Sequence, residues 1–83
     1  MEYYARFSVI SKVGFVGIED KEFDVETIEE LEVEINEYVD AYESEHRGKI
    51  DCLMLDELED EDGCEMGFEI NVDTNKYMIG KGE

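Results

Sequence analysis

Residues 24–48 read DVETIEELEVEINEYVDAYESEHRG. Ile28, Leu31, Ile35, Tyr38, Val39 and Tyr42 recur here at three- and four-residue spacing. At about 100° per residue they fall in one narrow apolar stripe, the signature of a helix that buries one face. Asp24 is one candidate N-cap. Thr27 followed by Glu30 is another, because a Thr three residues before a Glu can form a reciprocal capping box. The helix is expected to stop near His46 and Arg47, whose charge suits the negative end of the helix dipole, with Gly48 free to take the left-handed conformation that ends a helix.

Outward from the helix the period changes to two. Tyr3, Ala5, Phe7 and Val9 alternate with Tyr4, Arg6, Ser8 and Ile10, which predicts a strand over 3–10 with one face in the core. Residues 11–17 hold two glycines and predict a turn or bulge, leading to a second strand over 16–23 that returns antiparallel. After Gly48, residues 50–55 are apolar at nearly every position, which predicts a strand buried on both faces and central in its sheet. Asp56 to Asp62 is almost all acid apart from Leu58 and reads as a solvated loop closed by Gly63. Met66, Phe68, Ile70 and Val72 then alternate with polar residues, and Asp73 to Asn75 turn the chain into a last strand over 76–79, making a hairpin. The order strand, strand, helix, strand, strand, strand predicts an α+β fold: a small antiparallel β-sheet with one amphipathic helix on a face. At 83 residues the chain has the size of a single domain, spanning 1–83, and its 42% apolar content supplies one core.

The charge is the outlying property. Twenty-five Asp and Glu stand against 7 Lys and Arg, a formal net charge of −18. Solubility of a small domain is served by a net charge of roughly 2 to 8 in magnitude, and further like charge destabilises the compact state by self-repulsion. Direct contact with phosphates is excluded as a function class, because nucleic-acid binders present Lys and Arg. No stretch approaches the roughly 20 apolar residues of a membrane span, and no leader pattern opens the chain, so a cytoplasmic protein is expected. The only cysteines, Cys52 and Cys64, are read as free thiols rather than a disulfide.

Three groups of carboxylates are candidate contacts for a basic partner. Glu19, Asp20 and Glu22 lie on the second strand. Glu26, Glu29, Glu30, Glu37 and Asp40 share the outward side of the helix with one apolar residue, Val33. Asp56, Glu57, Glu59, Asp60, Glu61 and Asp62 form the acidic stretch. The helix carries no Lys or Arg to pair with its acids, whereas a helix built for stability mixes signs at i, i+4. Duplex DNA presents about one negative charge per 1.7 Å of its axis, so an acidic ridge flanked by acidic neighbours can stand in for one edge of a duplex. The expectation is one extended anionic field.

Chemistry finds less support. Aligning Gly63 with the turn glycine of an EF-hand puts Leu58 where the first Asp ligand is required, so no metal site is expected. His46, the only histidine, reads as a helix-end residue, and acids near a thiol suppress the nucleophilic thiolate. Gly14 and Gly17 match neither a P-loop nor a dinucleotide fingerprint. No enzyme and no cofactor are expected.

The segment Val13 to Glu30, VGFVGIEDKEFDVETIEE, resembles small acidic uncharacterised proteins of tailed bacteriophages in its succession of Gly-aromatic-Val-Gly, acidic strand and acidic helix. The resemblance covers the first half of the chain and carries over no catalytic or binding residue. It implies a phage setting, in which very small acidic proteins include inhibitors that imitate DNA to block CRISPR effectors, restriction enzymes or repair glycosylases. The leading expectation is a non-enzymatic DNA mimic acting on a basic nucleic-acid-binding protein of the host. Two alternatives stand beside it: an acidic assembly module, homodimeric through aromatic and Met side chains, that binds a basic partner without mimicry, and adaptation of the surface to high salt.

Overall fold

The computed structural model describes residues 1–80; residues 81–83 lie outside the described residues. The elements are β1 (Glu2–Ser11), β2 (Gly14–Asp24), α1 (Ile28–Glu45), β3 (Cys52–Glu59), β4 (Phe68–Asn71) and β5 (Lys76–Ile79). The expected order and the expected antiparallel pairing are both present. The strands divide into a three-stranded sheet of order β2-β1-β3 and a separate β4-β5 hairpin.

The helix starts where one of the two sequence signals put it. Thr27 is the N-cap: its hydroxyl accepts from the Glu30 N–H at 3.1 Å, while the Glu30 carboxylate accepts from the Thr27 N–H at 3.2 Å. Asp24 instead closes β2 and pairs with the amino terminus at 3.6 Å. At the other end His46 is the C-cap, its Nδ1–H donating to the Tyr42 carbonyl at 2.9 Å and its ring stacked on Tyr42. Gly48 has φ of +86°, in the turn that leads the chain away from the helix.

Leu31, Ile35 and Val39 of α1 are buried against Tyr3, Ala5, Phe7 and Val9 of β1 and Leu53, Leu55 and Leu58 of β3. The core therefore sits between the helix and one face of the sheet, and alternation along β1 sends Tyr4, Arg6, Ser8 and Ile10 to the opposite, uncovered face.

Two expectations about β3 are corrected. The strand is not central: β1 is, and β3 lies at an edge. Its outward residue Met54 is exposed, so apolar character on both faces did not mean burial on both. The acidic stretch is also not a loop from Asp56. β3 continues to Glu59, and the register with β1 shifts between Arg6, which faces Glu57, and Phe7, which faces Leu55. Asp56 is the extra residue of this bulge. One inserted residue reverses the alternation, so Leu55 and Leu58, three apart, both point into the core.

The last hairpin is shorter than expected. Only Phe68–Asn71 pair in β4, and Ile70 and Val72 are exposed instead of core-facing. β5 is joined to the rest by side chains. The Asn36 amide donates to the Tyr77 carbonyl at 3.0 Å and accepts from its N–H at 2.8 Å, while Glu32 accepts from the Ile79 N–H at 2.9 Å. On β3, the Leu53 N–H donates to Glu43 and the Leu55 N–H to the Tyr77 hydroxyl, each at 2.9 Å. Polar side chains from α1 and β5 thus satisfy backbone groups on the unpaired edges of β3 and β5.

Candidate functional site

The candidate carboxylates do not all lie on one side of the molecule. The outer side of α1 and the uncovered face of the sheet lie on opposite sides of the core, and the acids divide between them.

On the helix side, Glu26, Glu29, Glu37 and Asp40 are exposed. None of them, and no other acid of α1, belongs to an ion pair among the described residues. From Glu29 to Asp40 the ridge runs about 16 Å at 1.5 Å per residue. Val33, 55% exposed, sits in a shallow depression ringed by Glu29, Glu30, Glu34 and Glu37. Glu34 was not among the residues singled out from the sequence, yet it borders the same spot. Glu30 has a second task, since its carboxylate accepts from the Glu26 and Thr27 N–H groups and holds the helix start.

On the sheet side, cross-strand register sets the residues in rows. Phe15, Ile10 and Cys52 form one row and Ile18, Ser8 and Met54 the next; Asp20, Arg6 and Glu57 follow, then Glu22, Tyr4 and Glu59. Arg6 donates from Nε to Asp20 at 2.9 Å and lies 3.6 Å from Glu57, which holds its guanidinium further above its ordinary pKa, the Asp20 hydrogen bond being the main cause. Tyr4 donates to Glu2 at 3.0 Å, and that bond raises its phenol pKa. Asp56 accepts from the Ser8 hydroxyl. The apolar rows are open to solvent: Phe15 is 62%, Ile18 52% and Met54 47% exposed. The sequence pattern read residues 11–17 as a turn or bulge, and the register shift at Val16 is that bulge, but Phe15 lies in β2 and its place on this face was missed. Glycines on either side hid the strand, and only the observed register shows which face each side chain takes.

Glu19 is separated from Asp20 and Glu22. It pairs with Phe7, points to the helix side and is half-buried, where it raises the Tyr38 and Tyr42 phenol pKa values after the larger effect of burial. The end of the acidic stretch is structural as well. The Asp60 carboxylate accepts from the Asp62 and Cys64 N–H groups at 2.9 and 3.0 Å, and Glu61 accepts from the Glu2 N–H at 3.2 Å. Asp62 is exposed at the loop tip. Among the described residues no group of three His, Cys, Asp or Glu side chains is placed to hold a metal ion. Both cysteines are free; burial, then Glu43 and Asp51, push the Cys52 thiol pKa up, which keeps it protonated near neutral pH. No helix among the described residues is long and apolar enough to cross a membrane.

Comparison with protein-family models, with curated proteins and with solved structures gives no match.

Proposed function

We propose that this chain is a non-enzymatic inhibitor, phage-encoded and acting in the host cytoplasm, that imitates DNA and occupies the nucleic-acid-binding groove of a host defence or DNA-processing protein such as a CRISPR effector. The observation that carries the proposal is the run of exposed helix carboxylates, Glu26, Glu29, Glu37 and Asp40, joined by Glu30 and Glu34, with no cation paired to any of them among the described residues. The imitation is confined to the helix side, because the sheet-side acids face the other way. Lys and Arg of the target are the counterparts, and charge complementarity supplies fast encounter and salt sensitivity. Val33 is the apolar centre that such a ridge needs for lasting contact.

The experiment has two stages: capture of targets from a bacterial lysate at low and high salt, then competition of duplex DNA against this protein on the captured target. Displacement by duplex, with affinity falling gradually as Glu29, Glu37 and Asp40 are neutralised in turn, supports mimicry. Simultaneous binding of both refutes it.

The division of acids between two faces favours a second reading, an acidic interaction module that binds a basic protein without imitating DNA. In that case one or two positions carry the affinity, and duplex DNA does not compete.

A further inference from the structure

The uncovered face of the three-stranded sheet combines two features that the helix side lacks in this form: solvent-open apolar rows and an acidic half continuous with them. Phe15, Ile18 and Met54 stand together at one end. One row further along the strands, about 7 Å on at two residues per repeat, Asp20 and Glu57 flank Arg6, with Glu59 beyond. Large apolar side chains in adjacent rows, left without a covering layer, mark an interaction surface.

We infer that this face docks a cationic amphipathic segment of a partner protein, apolar side chains resting on Phe15, Ile18 and Met54 and Arg or Lys reaching Asp20, Glu57 and Glu59. Charge decides the occupant. A second copy would bring a further −18 against the Lys12 and Lys49 that meet beside its β1–β2 turn, so like charge opposes self-association. Lys21, the one cation of β2, is turned to the helix side, over the rings of Phe23 and Tyr38 at 5.9 and 5.7 Å. Nucleic acid and the anionic leaflet of a membrane are repelled by the same acids. Arg6 already shows the contact a partner guanidinium makes here, shared between carboxylates of two strands. This inference uses the face opposite the helix ridge and does not rest on DNA mimicry.

The test uses the full chain and a synthetic Leu/Arg amphipathic peptide, with poly-Lys as the purely charged control, measured by calorimetry and by NMR shift mapping. Ile18→Ser with Met54→Ser should weaken the Leu/Arg peptide about tenfold, as expected for loss of a central apolar anchor, and leave poly-Lys nearly unchanged. Glu57→Gln with Glu59→Gln should weaken both probes more than Glu29→Gln with Glu37→Gln, although each pair removes the same charge. All the substituted residues are solvent-accessible, and circular dichroism checks that each variant folds. Equal losses from the two Gln pairs, or no loss from the Ser pair, overturn the inference. So does a dimer in sedimentation that the Ser pair abolishes, because the face is then occupied by a second copy.

Discussion

The side-chain amide of Asn36 pairs with both backbone groups of Tyr77, at 3.0 and 2.8 Å, so a helix residue takes the place of a neighbouring strand for β5. The same amide nitrogen also donates to the Glu32 carbonyl at 2.9 Å, which locks its orientation. Asn36→Ala leaves the half-buried Tyr77 groups without partners. At about 1 kcal/mol per net hydrogen bond, urea unfolding should show a loss of about 2 kcal/mol, and the Tyr77 amide should exchange faster.

The β3 bulge makes a sharp contrast between neighbours. Leu58 is 1% exposed, so Leu58→Ala should cost about 2–5 kcal/mol in denaturant titration. Glu57→Ala, one residue earlier on the solvent side, should stay within about 0.5 kcal/mol. Similar small effects at both would return residues 56–59 to the loop that their acidity suggests.

Thr27→Ala removes half of the capping box and should lower stability by about 1 kcal/mol. Thr27→Ser should recover most of the loss, since the hydroxyl acceptor is what the Glu30 N–H requires.

Tyr77 gives the fold an alkaline limit. Burial is the main cause of its raised pKa and outweighs the opposing hydrogen bond from the Leu55 N–H. The folded-state pKa lies above the unfolded value of 10.0, so the contribution of the neutral phenol is fully present below pH 10 and is lost as pH rises through the folded value. Circular dichroism should be lost cooperatively above pH 10, and Tyr77→Phe should remove the part of the tyrosinate absorbance change that accompanies that loss. Tyr77→Phe, by leaving the Leu55 N–H without its acceptor, should cost about 1–3 kcal/mol at neutral pH.

Salt should stabilise this protein. Like charge on both faces repels, and added electrolyte screens it over about 10 Å at 0.1 M. A gain of about 1 kcal/mol on raising salt from dilute buffer corresponds to a Tm rise of about 4–8 °C for a domain of this size. A stable fold in dilute buffer speaks against adaptation to high salt as the origin of the acids.

The helix, its capping box and the order of elements along the chain were legible because each rests on local spacing: Leu31, Ile35 and Val39 on a 3.6-residue period, and Tyr3, Ala5, Phe7 and Val9 on a two-residue period. The fate of Asp56 to Glu59 was not legible. Acidity masked a strand whose inward residues, Leu55 and Leu58, break the two-residue period, and a bulge announces itself only through its partner strand. Most of the candidate acids are surface groups, but Glu19, Glu30, Asp56, Asp60 and Glu61 are engaged with the fold itself.

By itself the sequence determined the α+β class, the one long helix and the excess of negative charge, all properties of composition or of neighbours a few residues apart. Which acids share a side of the molecule was decided only by the tertiary structure. A strand sends alternate residues to opposite faces, and a helix covering one face leaves the other bare, so residues adjacent in sequence, such as Glu19 and Asp20, part company. Residues distant in sequence, Asp20 and Glu57, meet across Arg6 for the same reason: their register with β1 is set by long-range pairing, which no local pattern encodes.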